Sequence, residues 1–376
     1  MNVTHVLSLS AIGGVQKSFL PYFNFALKES EFNHEICLTR SLGEDFSGAL
    51  SGNYYSLRTI KGFFRLLIQL NSKNHIVHFY NSLGSRQIYF LLKFAFSSKI
   101  IFHERGSVWN SNSSNRKYFL KNIKKANKIV CNSKATKEFL LQKFNANPNK
   151  LFVIHNGISY RTKSNKKTKR FSNKTSIGFI GRYETQKGIP SLIEAAKYLK
   201  DFNFYFAGYG PWENYIDENV RSQKNIFNIG KLNDPFDFLK KVDIVVIPSI
   251  REPFGNVIVE AGISKKAVIA SMVDGIPEII NSEDVGLLVK PTDEINYSSR
   301  PESSLEFPSK IYDPQTNSFT RPLQINPKIL AEKISLLVND HDLRQKLGDN
   351  LFDRVQNNFN LKIYHDKIEN LYLSFN

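Results

Sequence analysis

Residues 242–272 have the sequence VDIVVIPSIREPFGNVIVEAGISKKAVIASM, in which two apolar runs flank a polar loop and a helical segment. The runs at 242–249 and 267–272 are rich in Val, Ile and Ala, a composition typical of strands buried on both faces. Gly255 marks the passage from the loop into the helical segment. A strand, a helix and a second strand of these lengths predict a β–α–β unit with parallel strands.

The same alternation continues in both directions along the chain. Further strand-like runs lie at 3–10, 34–39, 75–80, 99–104, 128–133, 151–157, 176–182, 202–210 and 226–230. Helical segments lie at 15–30, 85–97, 115–126, 191–200, 327–340, 341–359 and 361–375. Because the rhythm occurs in two successive sets, the sequence predicts an α/β protein with two Rossmann-like, doubly wound domains.

Two irregular stretches interrupt this pattern. The first, at 161–175, is polar and cationic, and we interpret it as a linker between domains at 1–160 and 176–358. The second, at 291–327, is too long for an ordinary connection. We therefore expect a surface excursion there, with a small hairpin around Ile311-Tyr312.

The positive charge is concentrated in the first half of the chain. The net charge is +17, and residues 1–170 hold 27 Lys and Arg against 7 Asp and Glu. The segments at 58–70, 86–96 and 115–128 mix cations with Phe, Leu, Ile and Tyr, as helices on anionic membrane surfaces do. Core helices with solvated cationic faces would give the same pattern. A nucleic-acid partner is not expected, because no RNP, KH, helix-turn-helix or zinc motif is present.

The composition also predicts where the protein acts. Cys37 and Cys131 lie far apart and outside any Cys/His cluster, so neither disulfides nor a structural zinc site is expected. No apolar run approaches the ~20 residues that cross a bilayer. The first residues lack the basic and apolar regions of a signal peptide. The sequence therefore predicts a cytoplasmic protein, peripheral on the inner face of the plasma membrane.

Two glutamates flank the start of the helix in the opening stretch. In parallel sheets, ligands bind at the carboxyl ends of strands and against helix N-termini, so Gly255 lies beside a potential anion site. Glu260, about one turn into the helix, could accept hydrogen bonds from a vicinal diol such as ribose. Glu252, in the loop, could contact a second polyol. An ordinary surface loop with one exposed and one capping glutamate is the alternative interpretation.

Two more strand ends carry residues suited to phosphate. The sequence GRYETQKG at 181–188 places Arg182 and Lys187 after a strand, and two such cations can converge on a diphosphate. Gly13-Gly14 follows the first strand and could approach a phosphate closely. Without a complete GxGxxG pattern, a plain tight turn is the simpler interpretation of this pair.

Taken together, these features resemble the retaining GT-B glycosyltransferases of family 4, also called glycosyl transferases group 1, of the bacterial surface-polysaccharide and lipopolysaccharide type. The matching pieces are GGVQ (13–16), HE (103–104), IVCNSKATKEFL (129–140), VIHNGI (153–158), IGFIGRYETQKGIPSLIEAAKYL (177–199), FAGYGP (206–211), IGKL (229–232) and VIPSIREPFGNVIVEA (246–261). The resemblance implies two Rossmann-like domains facing a central cleft. It also implies that the first domain binds the acceptor and that a final helix at 359–376 crosses back to it.

The resemblance assigns a role to each candidate residue. Glu260 would hold the donor ribose, Glu252 the hydroxyls of the transferred sugar, and Arg182 with Lys187 the departing diphosphate. Backbone groups of Phe254, Gly255, Asn256 and Val257 would contact the sugar and phosphate, Gly14 the diphosphate, Lys231 and Leu232 the base. His103 would lie near the reacting face of the sugar as a positioning group or proton partner. The neighbouring Glu104 departs from the His-Gly or His-Asp of many relatives, and could pair with Arg105 or an inner lysine.

The implied reaction needs neither a metal nor a cofactor. Preplaced cations and amide dipoles would stabilise the departing nucleoside diphosphate as its charge grows. No carboxylate is a clear nucleophile, so front-face transfer is expected, with the leaving phosphate taking the acceptor proton. UDP is expected in preference to GDP. The acceptor would be a lipid-linked or oligosaccharide intermediate of O-antigen, capsule or lipopolysaccharide.

Three other functions fit parts of the sequence. A sugar-nucleotide 2-epimerase uses a related two-domain fold, but would need further acid/base carboxylates. The basic first half alone suggests a nucleic-acid- or membrane-binding protein without transferase activity. A pseudoenzyme scaffold is disfavoured, because the set of motifs is complete.

Overall fold

The computed structural model describes residues 1–375 except for 11–13, 47, 49, 51, 97–98, 113, 160–169 and 296–299. The chain divides into two units. The first comprises Met1–Ser159 together with Phe359–Asn376, and the second comprises Tyr160–Asn358. Most of the stretch interpreted as a linker, 161–175, lies outside the described residues.

The first unit is built on a parallel sheet of seven strands, in the order β3-β2-β1-β4-β5-β6-β7. Its strands are β1 (Asn2–Leu7), β2 (Asn33–Leu38), β3 (Tyr54–Ser56), β4 (His75–Tyr80), β5 (Lys99–Glu104), β6 (Lys128–Cys131) and β7 (Leu151–Val153). The helices between them are α1 (Gly14–Glu29), α2 (Ile60–Gln69), α3 (Arg86–Leu91), α4 (Arg116–Lys125) and α5 (Lys134–Phe144). Apart from the edge strand β3, most strand residues are buried, which explains their apolar, non-alternating sequences.

The second unit repeats this arrangement with six parallel strands, in the order β10-β9-β8-β11-β12-β13. The strands are β8 (Ser176–Arg182), β9 (Asn203–Tyr209), β10 (Ile226–Gly230), β11 (Ile244–Ile247), β12 (Ala267–Ser271) and β13 (Leu287–Val289). The prediction of two Rossmann-like domains is confirmed, because the strand order reverses beside the first strand of each sheet, as in doubly wound folds.

Helices cover both faces of this second sheet. They are α6 (Ile189–Tyr198), α7 (Glu213–Ser222), α8 (Pro235–Leu239), α9 (Asn256–Ile263), α10 (Ile276–Ile279), α11 (Pro327–Asn339) and α12 (His341–Asn358). The hairpin expected in the excursion is present as β14 (Ile311–Asp313) and β15 (Ser318–Thr320), which pair antiparallel. The β-branched runs of β11 and β12 are completely buried, so this stretch forms the centre of the second core.

The last helix, α13 (Leu361–Leu373), belongs to the first unit although it follows the second in sequence. Its buried face includes Tyr364, Ile368 and Tyr372, which join the core made by the sheet and α1. The Tyr372 hydroxyl lies 2.6 Å from Nδ1 of His78 on β4. Within the described part of the chain, no helix is long and apolar enough to cross a membrane.

Candidate functional site

The loops that follow β8 and β11 are joined through the backbone. The carbonyl of Gln186 accepts hydrogen bonds from the N–H groups of Ile250 and Arg251, at 2.9 and 3.3 Å. Gly188 ends the turn of residues 185–187 with φ +64°. A Cβ at Gly188 would lie 1.9 Å from the carbonyl oxygen of Pro248, so only glycine permits this approach.

This approach brings Lys187 and Glu252 together. Nζ of Lys187 lies 2.5 Å from Oε2 of Glu252, and the hydroxyl of Ser249 lies 3.5 Å from the same oxygen. The two charged side chains are 24% and 15% exposed, so both remain accessible to a ligand while being partly desolvated. Two of the predicted residues therefore form an ion pair at the carboxyl end of the second sheet.

Asp274 holds the backbone of Glu252 in place, a role that was not predicted from the sequence. One carboxylate oxygen accepts the backbone N–H of Glu252 at 2.8 Å, and the other accepts the N–H of Tyr312 at 2.8 Å. Asp274 is 1% exposed, and burial raises its pKa to about 7, although both hydrogen bonds and Arg251 oppose the shift. The residue has φ +46°, a conformation in which Asp is tolerated, so the Asp274-Gly275 pair was a detectable turn pattern.

The loop after Glu252 leads directly into α9. Gly255 is the capping residue, with φ +109°, and has no side chain to cover the first N–H groups of the helix. Those groups, from Asn256 and Val257 onward, belong to a helix N-terminus, where anions are stabilised. Phe254 is buried beneath the loop, whereas Glu260 on the helix is half-buried.

Arg182 pairs with a different carboxylate. Its side chain is 67% exposed, and its guanidinium lies 3.5 Å from Oε1 of Glu184. The other oxygen of Glu184 accepts the N–H of Leu305, which lies in the excursion, at 3.1 Å. Arg182 is therefore oriented through a carboxylate that also holds the excursion in place.

Lys231 and Leu232 follow β10, as the sequence analysis predicted. Gly230 ends this strand with φ +74°, and nothing lies within 4 Å of where its Cβ would be. Lys231 is exposed, with Nζ 5.4 Å from the ring centroid of Tyr209, and Leu232 is half-buried. The neighbouring aromatic ring gives this edge an apolar surface on which a planar group could stack.

His103 lies near the end of β5, in the first unit, and is 1% exposed. Its ring stacks with those of His78 and Tyr80, with centroids 5.4 and 5.2 Å away. Neither ring nitrogen has a hydrogen-bond partner among the described residues. Burial, and secondarily the charge of Arg105, lowers the pKa of His103, which favours the neutral ring.

Glu104 has a local structural partner instead of the cation that was considered for it. Its carboxylate accepts hydrogen bonds from the N–H groups of Gly106 and Val108, both at 2.9 Å, and from the hydroxyl of Ser107 at 2.7 Å. Pairing with Arg105 or a lysine was wrong, because Arg105 donates to Asn156 and the carboxylate is occupied by the following turn. Gly14 begins α1, and Gly13 lies outside the described residues.

Two family models match successive parts of the chain. Glycosyltransferase Family 4 matches residues 30–161, and Glycosyl transferases group 1 matches residues 160–310. The second match contains the Lys187–Glu252 pair and α9, whereas the first contains His103.

Relatives of known role are similar to parts of the chain. A capsular polysaccharide biosynthesis glycosyltransferase, CapM from Staphylococcus aureus, is 28% identical over 70% of the chain and 60% of its own length. A Campylobacter jejuni N-acetylgalactosaminyltransferase named for a diphospho-undecaprenol acceptor is 27% identical over 45% of the chain and 48% of its own length. The chain thus matches less than two thirds of the length of these curated relatives.

A solved structure shows the same fold. HepE from Anabaena, in complex with UDP and glucose, superposes with a TM-score of 0.75 at 15% identity, and the match covers 100% of both chains.

Proposed function

The chain belongs to the glycosyltransferases of group 1 and family 4, and we propose that it transfers a hexose-type sugar with retention of configuration. The donor is a nucleoside-diphosphate sugar, with UDP preferred to GDP, and the acceptor is a lipid-linked or polysaccharide glycan. The observation that carries this proposal is the Lys187–Glu252 ion pair beside the Gly255 cap of α9. It places a cation, a carboxylate and a helix N-terminus at one strand end, as a sugar diphosphate requires.

The ion pair suits both halves of the donor. A diphosphate that enters beside α9 competes for Lys187, which then turns from Glu252 to the phosphate oxygens. Glu252 is thereby free to accept hydrogen bonds from the hydroxyls of the sugar. Backbone groups of Phe254 to Val257 contact the phosphate and sugar, Glu260 holds the ribose, and Lys231 with Leu232 contacts the base.

Catalysis follows from charge that grows on the leaving group. As the glycosidic bond to the nucleoside diphosphate breaks, the anomeric carbon gains oxocarbenium character. Lys187, Arg182 and the amides of α9 stabilise the departing diphosphate more than the intact donor, which lowers the barrier. On the same face, the acceptor hydroxyl oxygen forms the new bond to the anomeric carbon, and its proton passes to the leaving phosphate oxygen. For two residues of the first unit we propose the roles that the family resemblance implies, with His103 as a positioning group for the sugar and Gly14 as a contact of the diphosphate.

We propose that the reaction needs no divalent metal, because Lys187, Arg182 and the α9 amides neutralise the diphosphate. The sequence contains one Asp-x-Asp triplet, Asp340 to Asp342, and its first residue has a structural role instead of a metal-binding one. A side-chain oxygen of Asp340 accepts the N–H of Leu343 at 2.8 Å and so caps α12.

The relatives suggest the acceptor. CapM is named for capsular polysaccharide biosynthesis, and the Campylobacter transferase is named for a diphospho-undecaprenol acceptor. We therefore propose that this chain acts on a growing cell-surface glycan at the inner face of the plasma membrane, as a cytoplasmic, peripheral protein. The Anabaena structure with UDP and glucose makes UDP the first nucleotide to test.

A thermal-shift panel with UDP, GDP, ADP and CMP tests the donor site. A ligand at about 100 times its dissociation constant stabilises a protein by about 2.7 kcal/mol, which is readily measured. We expect one nucleoside diphosphate to raise the midpoint in the intact chain and to lose this effect in Glu260→Ala. Absence of a shift with every nucleotide would contradict the proposal.

A further inference from the structure

Among the exposed large apolar side chains of the first unit, five have at least 55% of their surface accessible and lie on or close to two neighbouring helices. Ile60, Phe64 and Ile68 lie on α2, and Phe94 and Phe96 lie just beyond α3. Their exposed fractions range from 55% to 82%. We call these five residues the α2 patch.

The three helix residues point the same way. Ile60, Phe64 and Ile68 follow one another at intervals of four, which places them along one stripe of α2. The residues that α2 buries are Gly62, Leu66 and Gln69. The helix therefore turns its bulkiest apolar stripe outward and packs a narrower face inward.

This orientation is fixed by close backbone packing. A Cβ at Gly62 would lie 1.9 Å from the carbonyl oxygen of Ser56, so α2 is seated tightly at its first turn. The hydroxyl of Thr59 also accepts the N–H of Gly62 at 3.0 Å and caps the helix. Rolling α2 to bury the stripe would break the close approach of Gly62 to Ser56, so the patch stays exposed.

Asn71 joins the two aromatics beyond α3 to the end of α2. Its side-chain amide donates to the carbonyl of Phe94 at 2.8 Å, and its side-chain oxygen accepts the N–H of Phe96 at 3.0 Å. The same amide group donates to Leu67 in the last turn of α2. Phe94 and Phe96 thus extend the apolar stripe past the end of the helix.

The rim of the patch is cationic. Lys61, Arg65 and Lys93 each adjoin a patch residue in sequence and are exposed, and Arg65 pairs with Glu35. Between Phe46 and Lys137 the only acidic residue in the sequence is Glu104, whose carboxylate is buried. The surface from this stretch therefore offers apolar groups and positive charge without exposed carboxylates.

We propose that the α2 patch inserts into the headgroup region of an anionic lipid bilayer, with the surrounding cations on the phosphates. Bulky apolar side chains ringed by Lys and Arg favour such an interface over water. The contact rests on the proposed function, because a lipid-linked acceptor has to be met at a membrane surface. It differs from purely electrostatic binding, since apolar insertion persists when salt screens the charges.

Vesicle sedimentation of the full chain separates apolar insertion from purely electrostatic binding. Vesicles of phosphatidylcholine with phosphatidylglycerol are compared with phosphatidylcholine alone, at about 0.1 M and about 0.5 M NaCl. The patch variant is Phe64→Gln with Ile68→Gln, and its matched control is Tyr198→Gln with Leu336→Gln, an exposed aromatic and aliphatic pair in the second unit. A third variant replaces Lys117, Lys121, Lys124 and Lys125 of α4 by Gln, since this helix has a cationic exposed face.

We expect the intact chain and the control to bind anionic vesicles and to keep part of this binding at the higher salt. The patch variant should lose the salt-resistant part by about tenfold or more, as expected when two large apolar side chains are removed from a lipid interface. The α4 variant should weaken binding mainly at the lower salt. Unchanged vesicle binding by the patch variant, or no binding by the intact chain, would overturn the proposal.

Nucleotide stabilisation is measured on the same preparations. A nucleotide-dependent rise in midpoint in all four proteins shows that each is folded and that the donor site is intact. If this rise is present but the patch variant binds vesicles as well as the intact chain does, only the proposed membrane contact is contradicted. If no nucleotide stabilises any of the proteins and patch-dependent vesicle binding remains, the proposed function fails and the membrane surface stands.

Discussion

At the scale of single residues, Glu252 is the best test of the site, because its ion pair with Lys187 has a counterpart elsewhere. Lys197 and Glu194 on α6 are also 2.5 Å apart, but both are more exposed. We expect Glu252→Gln to lower kcat/KM for the donor by about a hundredfold, the usual cost of losing one polar contact to a transition state. Glu194→Gln should leave kcat/KM unchanged.

Stability separates this role from a structural one. Ion pairs that solvent reaches contribute about 1 kcal/mol or less, and both of these pairs keep some solvent exposure. The thermal midpoints of Glu252→Gln and Glu194→Gln should therefore stay close to that of the intact chain. Equal loss of activity in both variants, or a collapse in the midpoint of Glu252→Gln, would contradict a direct role for Glu252 in the reaction.

Asp274 makes stability depend on pH in a predictable direction. Because burial raises its pKa to about 7, the folded chain favours the protonated form relative to the unfolded chain. This contribution is present below the ordinary pKa of Asp, about 4, and is lost as the pH rises through about 7. A shift of this size corresponds to a few kcal/mol.

Asp274→Asn removes this titration. Between pH 4 and pH 8 the midpoint of the intact chain should fall relative to that of the variant, by several degrees for a unit of this size. The difference between the two proteins at each pH cancels the groups they share. A constant difference across the range would show that Asp274 stays ionised, held by its two N–H donors.

Candidate site residues could be predicted only where the residue type itself indicates the chemistry. Lys187 and Glu252 lie in the loops that follow two strands, which made them candidates, and the family resemblance then gave each a role. Asp274 acts through the backbone N–H groups of Glu252 and Tyr312, and any residue type supplies such donors. Sequence therefore gave no reason to connect Asp274 with either partner.

At the scale of elements, the turn that ends at Gly188 determines whether the two loops meet. Gly188→Ala adds a left-handed alanine, which costs about 1 kcal/mol, and a contact of 1.9 Å with a backbone oxygen that cannot move freely. Gly230→Ala has the same left-handed cost, with φ +74°, but meets nothing within 4 Å. We expect Gly188→Ala to lower the midpoint well beyond Gly230→Ala and to abolish nucleotide stabilisation. Equal midpoints would show that the loop shifts without penalty.

The excursion shows where sequence patterns stop being informative. Its hairpin was expected around Ile311-Tyr312 and is present there. Its contacts with the rest of the second unit were not expected. Ser304 and Leu305 contact the loop of Glu184 and Thr185, and Tyr312 contacts Asp274. These are long-range contacts with no periodicity, so neither helical nor strand patterns encode them. Through them the excursion braces both loops that carry the predicted site.

At the scale of the whole molecule, the alternation of strands and helices was the predictable part. It arises locally, since each buried strand and each amphipathic helix has its own period. The ends of the strands were predicted less accurately. The first strand was expected over 3–10, but β1 ends at Leu7. Beyond it, the carbonyl of Ser8 accepts a hydrogen bond from the side-chain amide of Gln16 instead of from a neighbouring strand. Strand ends depend on such tertiary partners, which a single sequence does not list.

The first unit is not contiguous in sequence, and this gives the last prediction. Tyr364, Ile368, Leu371 and Tyr372 of α13 are all buried in the core of this unit. At about 1.5–3 kcal/mol for each buried side chain, their loss matches the whole stability of an ordinary domain, about 5–15 kcal/mol. Residues 1–159 alone should therefore fail to fold.

Joining residues 359–376 to residues 1–159 through a short Gly/Ser linker should restore the unit. The ends are adjacent, since the N–H of Ile158 donates to the carbonyl of Phe359 at 3.0 Å. A sharp thermal transition in the joined chain, and none in 1–159, is the expected result. Replacing Ile368 and Leu371 by Gln in the joined chain provides the control, because it keeps the length but removes the apolar contact. Cooperative unfolding of 1–159 alone would show that the sheet and α1 suffice without α13.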